Sequence, residues 1–234
     1  MKRYTNYSVV IFLLSISIVM IYSCKVKNAE PNGAYVGYDY YPLEVGRYNV
    51  YDVYDTIYNG IVRKDSVYQL KELIQSYITE GQEVKFVLHQ YFKKTTDTDW
   101  PGQPDSVWSL TNTSNQLIRE ENNIQYIKLV FPVKEGKTWN GNARNIYDAQ
   151  TYTMKNVDGS YSLSGLVFNP TLMMEISNTK SVINKDHRYE IYARGIGPIK
   201  REYTVYAYDQ SQLGSGVIEY GYHKVFILKS YGKN

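Results

Sequence analysis

The sequence predicts a mainly β protein made of antiparallel sheets, following an N-terminal signal helix. Tyrosine is the first indication, because 26 of the 234 residues are Tyr against 6 Phe, and tyrosine favours half-buried strands. The second is a series of short alternating runs separated by Gly, Pro and Asn. The third is that no later stretch shows the period of an amphipathic helix of normal length. Together they favour an open or curved sheet.

The N-terminus has the pattern of a bacterial lipoprotein signal. Lys2 and Arg3 precede an apolar stretch at 9–21, and Ile21-Tyr22-Ser23-Cys24 matches a lipobox with a bulky Tyr22. The apolar stretch is shorter than the ~20 residues of a membrane-spanning helix. A signal anchor and a plain secretory signal are the alternatives. We predict a signal peptide at 1–23 and Cys24 as the acylated first residue of the mature chain.

Lipidation would tie the protein to a bilayer without embedding it. The two or three acyl chains of a mature lipoprotein give stable anchoring, whereas one chain does not. Lys25 stands where inner-membrane lipoproteins often carry Asp, so we expect an outer-membrane location. Pro31, Asn32 and two glycines predict a flexible tether. With Cys24 this tether covers 24–38, and a β-rich domain covers 39–234.

Charge and cysteine content exclude several classes of function. The formal net charge is +3, and loss of Lys2 and Arg3 with the signal lowers it to +1. Nucleic-acid binding normally shows as a clustered basic excess, so we expect no nucleic-acid partner. Cys24 is the only cysteine. Its lipidation leaves no thiol for a disulfide, a zinc site or a nucleophile, and no cofactor or metal is expected.

The first half of the chain shows three hairpin signals. Strands at 47–58 and 61–70 flank Asn59-Gly60, which suits a type I′ turn. Glu80-Gly81-Gln82 forms a second turn before an alternating strand at 84–93. A Pro/Gly loop at 97–104 leads into a strand at 106–111.

A third hairpin, with strands at 116–120 and 124–131, turns at Glu121-Asn122-Asn123. Its alternative is a two-turn helix at 115–121 capped by Ser114. Alternating runs continue to the C-terminus. They predict strands at 146–154, 160–167, 171–178, 187–194, 199–208 and 217–229.

One short pattern occurs twice, 90 residues apart. Tyr41-Pro42-Leu43-Glu44-Val45-Gly46-Arg47 and Phe131-Pro132-Val133-Lys134-Glu135-Gly136-Lys137 share aromatic, Pro, aliphatic, two residues, Gly and a basic residue. The aromatic-Pro pair keeps the chain extended, and the glycine permits a tight turn before the next strand. Chance is the alternative for so short a match. The pattern predicts pseudo-repeats that start near residues 40 and 130.

These motifs, with the lipobox and Tyr192-Ala193-Arg194-Gly195-Ile196-Gly197, resemble an uncharacterised lipoprotein family of Bacteroidota-type bacteria. The resemblance covers 40–203. It implies an antiparallel β fold and a location in the cell envelope, and it implies no activity. The first motif departs from the family pattern, because Tyr48-Asn49 stands where Trp is usual.

The aromatic residues supply the candidate ligand contacts. Trp100 and Trp139 lie in or beside Gly/Pro loops, and Trp108 follows such a loop. A large ring in a loop is less often fully buried, so all three are candidates for stacking on a ligand. The alternative is that they fill the core.

Three tripeptides resemble an O-glycosylation acceptor of exported Bacteroidota-type proteins. They are Asp55-Thr56-Ile57, Asp65-Ser66-Val67 and Asp105-Ser106-Val107. The candidate sites of modification are therefore Thr56, Ser66 and Ser106.

Catalytic patterns are weak. His89, His187 and His223 lie far apart and form no zinc-binding spacing. Asp97 and Asp99 flank Thr98, so a glycosidase pair or a Ca²⁺ loop is conceivable, although a solvated turn is favoured. The sequence therefore favours a non-catalytic envelope lipoprotein that binds a partner protein, a glycan or a lipid-like molecule. The alternative is a hydrolase of cell-surface polysaccharide that uses acids from the 97–105 loop.

Overall fold

The computed structural model describes residues 36–81 and 83–234, so the signal peptide, Cys24 and most of the tether lie outside the described residues. The described part contains twelve strands and two short 3₁₀ helices, Tyr38–Tyr40 and Gln210–Gln212. The strands are β1 (Arg47–Asn59), β2 (Val62–Glu80), β3 (Glu83–Lys94), β4 (Ser106–Asn112), β5 (Gln116–Glu121), β6 (Ile124–Val130), β7 (Thr138–Asn140), β8 (Thr151–Leu163), β9 (Leu166–Lys180), β10 (Asn184–Ala193), β11 (Gly197–Tyr208) and β12 (Ile218–Lys233).

All twelve strands form one antiparallel sheet, which confirms the predicted fold class. Its order is β6-β5-β4-β3-β2-β1-β12-β11-β10-β9-β8-β7. Each half of the chain is therefore a run of six neighbouring strands, and the two runs join where β1 pairs with β12. One copy of the repeated motif precedes β1 and the other precedes β7.

The two motifs make the same backbone turn. Gly46 and Gly136 both have positive φ, at 89° and 73°, in the region that favours glycine. Each glycine N–H donates to a strand carbonyl, Gly46 to Ile74 at 2.8 Å and Gly136 to Met154 at 2.9 Å. The next residue in each copy bonds back three residues, at 3.2 and 3.1 Å. The glycine of each motif thus marks the turn into the following strands.

The hairpin turns differ in detail from the sequence predictions. Asn59 pairs with Val62, so the first two-residue loop is Gly60-Ile61 and not Asn59-Gly60. Gly60 has the positive φ of 60°, and glycine in the first central position fits a type II′ turn better than type I′. The 115–121 helix alternative is wrong. Asn122 and Asn123 both have positive φ and connect β5 to β6 as a type I′ turn would.

The strands predicted at 146–154, 160–167 and 171–178 are wrong in their bounds. The structure has a loop at 141–150 and then one long hairpin, β8 and β9. Ser164 and Gly165 make its turn, both with positive φ. The break predicted after Met154 is instead an irregular stretch of β8, where Asn156 and Asp158 have positive φ and the register to β9 shifts.

The sheet curls so that one face becomes the inside. Directly paired residues point to the same face, and this inner face carries Tyr51, Glu72 and Glu190. Strands that are far apart in the sheet order meet there, since Lys128 on β6 reaches Glu190 on β10. Buried apolar side chains fill much of the inner space, among them Ile74, Leu88, Leu110, Leu117, Leu129, Met154, Leu172 and Met174.

The segment before β1 packs against the second half of the chain. The carbonyl of Val36 accepts from the N–H of Val133 at 3.0 Å, and the ring of Tyr38 meets Phe131 edge to face at 4.7 Å. Asp39 and Asp158 both pair with Arg194, at 2.7 and 2.8 Å. Residues 36–41 are therefore held to the domain.

Candidate functional site

Glu72 is the centre of a buried ionic cluster inside the sheet. Its Oε1 accepts from Arg119 at 2.6 Å, from Arg201 at 3.1 Å and from Gln90 at 2.9 Å. The three charged side chains are 2–5% exposed. Each arginine also lies over an aromatic ring, Arg119 over Trp108 and Arg201 over Tyr51. These contacts link β2 with β5 and β11.

A second buried carboxylate, Glu190, lies on the same face. It accepts from Lys128 and from the hydroxyls of Tyr192 and Tyr203, the latter two at 2.5 Å. Glu190 is 1% and Lys128 8% exposed. We call Glu72, Arg119, Arg201, Lys128 and Glu190 the interior ionic network.

The network holds both carboxylates in the charged form. Burial alone would raise the pKa of Glu72, but the positive charges and hydrogen bonds of Arg119 and Arg201 outweigh it and lower that pKa to about 2. Burial likewise opposes ionisation of Glu190, and the positive charge of Lys128 lowers its pKa to about 2. Burial also raises the pKa values of Tyr192 and Tyr203 well above normal. In the interior ionic network, both glutamates are therefore ionised, and they accept hydrogen bonds from cationic side chains and from neutral tyrosine hydroxyls.

The two edge strands of the sheet, β6 and β7, approach each other without forming a regular ladder of backbone hydrogen bonds. Ile127 N–H donates to Gly141 O at 2.9 Å. Side chains make the other bonds, from Trp139 Nε1 to Ile127 O at 2.8 Å and from Asn145 Nδ2 to Gln125 O at 2.8 Å. We call this junction the open seam.

A recess of about 220 Å³ lies on the inner face beside the open seam. Its lining side chains come from both halves of the chain and are mainly aromatic or charged. They are Glu121, Tyr126, Lys128, Tyr152, Ile176, Arg188, Tyr203 and Tyr222. This seam recess is smaller than the roughly 300–1,000 Å³ typical of drug-sized ligand sites. It suits one ring-sized group.

The charges of the seam recess are already balanced. Arg188 donates to both oxygens of Asp186 at 2.6 Å, Lys128 is bound to Glu190, and Glu121 lies 3.1 Å from Arg119. These pairs leave no strong excess of either sign.

Three tyrosine hydroxyls of the recess are available to hydrogen-bond a ligand. The hydroxyls of Tyr126, Tyr152 and Tyr222 have no hydrogen-bond partner among the described residues. Burial raises the pKa of each, so all three stay protonated and can both donate and accept. The recess therefore presents aromatic faces and neutral hydroxyls.

The three tryptophans proposed as ligand contacts lie in different surroundings. Trp139 packs edge to face on Tyr152, a lining residue of the seam recess, with ring centres 5.8 Å apart. Trp108 packs against the core beneath Arg119. Trp100 lies in the loop after β3 with Lys93 4.9 Å from its ring. Ligand contact by any of them stays a prediction.

The acidic loop is built around Lys93. Its Nζ donates to the carbonyl oxygens of Asp97 and Thr98, both at 2.9 Å. Asp97 and Asp99 are exposed side chains of a shallow depression of about 500 Å³. Asp97 accepts from the N–H of Lys94 at 3.2 Å, as a turn-forming residue does.

The histidines take separate positions. His89 on β3 contacts Tyr91, with Nδ1 3.3 Å from the hydroxyl, and burial lowers its pKa. His187 packs on Tyr189, and His223 lies 3.5 Å from Glu202. Within 36–81 and 83–234, no three His, Cys, Asp or Glu side chains are arranged to hold a metal ion.

The proposed glycosylation residues all lie on strands. Thr56 donates to Asp65 at 2.6 Å. Ser66 pairs with Asp55 across β1 and β2. Ser106 donates to Gln90 at 2.8 Å, and Gln90 in turn donates to Glu72. Ser106 is therefore tied to the interior, whereas Thr56 is on the outer face. Modification of these residues stays a prediction.

Sequence reasoning missed the residues that matter most in this site. Glu72, Arg119, Lys128 and Glu190 are charged residues at inward positions of apolar strands, as in Leu70-Lys71-Glu72-Leu73-Ile74. That pattern was a usable signal, because an inward charge needs a buried partner of opposite sign. The identity of the partner depends on sheet curvature and could not be read from one strand.

Comparisons with known proteins give two similar solved structures. No family model and no curated sequence matches the chain. One structure, described as an exported protein with a YmcC-like fold from Bacteroides fragilis, is 13% identical and has a TM-score of 0.38 over 81% of this chain and 98% of its own. The other, described as a lipoprotein from Parabacteroides distasonis, is 10% identical, with a TM-score of 0.40 over 82% and 98%. In the described part of the chain, no helix has the length and apolarity needed to cross a membrane.

Proposed function

We propose that this chain is a lipid-anchored, non-catalytic protein of the bacterial outer membrane that binds a sugar unit of an envelope glycan in the seam recess. The observation that carries the ligand proposal is the lining itself, with four tyrosines, balanced charges and three phenol hydroxyls that have no partner in the described part of the chain. Sugars present apolar ring faces and paired donor and acceptor hydroxyls. Tyrosine can meet both, with its ring and its hydroxyl.

An acyl chain fits this recess poorly. Among the described residues that line it, Ile176 is the single aliphatic side chain, and Lys128, Arg188 and Glu121 are charged. Inserting a hydrocarbon would cover charged and hydroxyl groups without offering them hydrogen bonds, which is costly. A lipid-like ligand is therefore the weaker candidate for this site.

The geometry also gives little support to the hydrolase alternative. A glycosidase needs one carboxyl group that is protonated at working pH, and its pKa must be raised. Glu190 has a pKa lowered to about 2, which keeps it ionised. Asp97 and Asp99 lie in an exposed loop away from any buried carboxylate contact.

Binding can be tested with purified envelope glycans and their monosaccharides. Calorimetric titration of the protein should show binding that Tyr152→Phe and Tyr222→Phe each weaken, because each variant loses one hydroxyl and keeps the ring. Trp139 contacts Tyr152, so its fluorescence should change on binding. Tyr54→Phe is the matched control, since Tyr54 is an exposed tyrosine outside the recess lining. Equal affinity in all three variants would remove the recess as the site.

Anchoring needs a separate test, because the lipobox alone supports it. Wild-type protein in cells fed radiolabelled palmitate should carry label and fractionate with the outer membrane. Cys24→Ala should carry none. Label retained by Cys24→Ala would refute lipidation at this residue and leave the ligand proposal standing.

A further inference from the structure

Three hairpin ends meet at the end of the sheet opposite to the segment 36–46. They are the β1–β2 turn, the β9–β10 turn and the β11–β12 loop. Backbone hydrogen bonds join them, from Gly60 N–H to Glu219 O at 2.8 Å and from Tyr208 N–H to Ile183 O at 2.9 Å. Because these bonds cross between hairpins, the ends form one continuous surface, which we call the hairpin end.

Aliphatic side chains project from each part of the hairpin end. Ile61 is fully exposed, and Val182 and Leu213 are 65% and 63% exposed. Each is at or near the tip of its own hairpin. Single exposed aliphatics are common on proteins, but a joined set at one end marks an interaction surface. Separate projecting side chains fit a fluid surface better than a rigid protein partner, which would need a matching pocket for each.

Lysines stand just behind these tips. Lys64, Lys180 and Lys185 form no ion pair with any residue of the described chain. Of the acids nearby, Asp65 pairs with Arg63 and Asp186 pairs with Arg188. Glu219 and Asp209 have no ion-pair partner among the residues described, because the donors to Asp209 are the neutral Ser211 and Gln212. Three lysines thus face two acids. Unpaired positive charge therefore exceeds unpaired negative charge at the hairpin end.

The opposite end of the sheet provides a contrast. It also has exposed aliphatics, Leu166 and Val167 at the β8–β9 turn. On that hairpin, Lys155 pairs with Glu175 at 2.7 Å, and elsewhere at this end Lys233 lies 3.0 Å from Glu44 and Lys85 3.1 Å from Glu80. The hairpin end differs from the β8–β9 hairpin in carrying its projecting aliphatics beside lysines that form no ion pair with the described residues.

We infer that the hairpin end docks on an anionic lipid surface. The tips of Ile61, Val182 and Leu213 enter the boundary between headgroups and acyl chains, and the lysines meet the lipid phosphates. Lysine suits this position, because its stem can lie along apolar groups while its charge stays in water. Each basic residue near an anionic membrane adds attraction, and buried apolar area adds the rest. This contact is separate from the predicted acyl anchor and from the seam recess.

Vesicle co-sedimentation tests the inference directly. The mature chain is exported through a cleavable signal with Cys24→Ala, so that no acyl chain contributes. Vesicles contain either phosphatidylcholine alone or equal parts of phosphatidylcholine and phosphatidylglycerol. We expect at least about tenfold tighter binding to the anionic vesicles, because the free lysines act only there. Ile61→Ser, Val182→Ser and Leu213→Ser together should weaken that binding by at least about tenfold.

A matched control removes exposed aliphatics from the other end. Leu166→Ser with Val167→Ser should leave vesicle binding unchanged, and circular dichroism checks that all variants fold. Absence of binding by the parent protein, or equal losses in the tip and control variants, would overturn the inference. So would gel filtration showing a dimer that the tip variant abolishes, because the hairpin end would then bind a second copy.

Discussion

The two junctions between the halves of the chain are closed in different ways. At one, β1 pairs with β12 along its whole length, from Arg47 opposite Lys233 to Asn59 opposite Tyr220. At the open seam, β6 and β7 are joined through one backbone bond and the side chains of Trp139 and Asn145. Regular pairing brings strands about 4.8 Å apart and leaves no space between them. Closure by side chains leaves the seam recess, so the weaker junction is where a ligand can enter.

The largest expected effect comes from removing the centre of the ionic network. Glu72→Leu leaves Arg119 and Arg201 buried without their shared acceptor, and losing one partner of a buried pair costs about 3–5 kcal/mol. Urea unfolding should show this loss. Gln69→Leu is the control, because Gln69 is a buried neutral residue on the same strand with one bond to Asp52. Its cost should be about 1 kcal/mol. Similar losses would show that the charges matter no more than ordinary polar contacts.

Acid should destabilise the protein through the same network. The folded-state pKa values of Glu72 and Glu190 are lowered to about 2, below the usual range of an unfolded chain. Their contribution is therefore fully present above the unfolded pKa and is lost as pH falls through the folded pKa. Each can contribute on the order of 3 kcal/mol. The urea midpoint of unfolding should stay nearly constant from pH 7 to about pH 5 and should decrease at lower pH.

A comparison of variants shows which carboxylate carries that loss. Glu72→Gln should give a shallower acid dependence than wild type. Glu202 also has a pKa lowered to about 2, against the effect of its partial burial, by its bonds with Lys200 and Tyr189. It is more exposed than Glu72, so solvent screens it and Glu202→Gln should change the slope less. The opposite ranking would contradict the assignment to the interior.

Substitutions of Gly46 and Gly136 test the turns that precede β1 and β7, the strands that belong to the β1–β12 junction and to the open seam, respectively. Alanine at either position adopts an unfavourable positive φ and should cost about 1 kcal/mol. Gly46→Ala should cost more, because its new Cβ would lie 2.9 Å from the carbonyl oxygen of Asn234, whereas nothing lies within 4 Å at Gly136. Denaturation midpoints of the two variants check this order. Unchanged midpoints in both would show that the shared turn is not needed.

The most local expected effect concerns the open seam itself. Trp139→Phe removes the indole N–H bond to Ile127 and keeps an aromatic ring beside Tyr152. The lost bond should cost about 1 kcal/mol. Hydrogen exchange should increase in β6 and stay unchanged in β12. Equal increases in both strands would indicate global destabilisation and not opening of the seam.

The sequence predicted the β class, most strands of the first half and the turn role of both motif glycines. These features depend on neighbouring residues, namely alternation, turn chemistry and backbone freedom. It failed at β8, where Asn156 and Asp158 look like the end of a strand but form an irregularity within it. The recess was out of reach because Lys128 and Glu190, 62 residues apart, meet only after the sheet curls.

The contacts of residues 36–41 have a mechanical consequence. Among the described residues, Val36, Asp39 and Tyr40 are the first to meet a pull on the chain from the N-terminal side. Arg194 holds Asp39 and lies over the ring of Tyr40, whose hydroxyl donates to Asp158 at 2.8 Å. Tension is thus passed to the irregular part of β8 and to the turn after β10 before it can peel β1 from β12. The contacts of residues 36–41 with Arg194 and Asp158 therefore protect the pairing of β1 with β12 from a force applied at the N-terminal side.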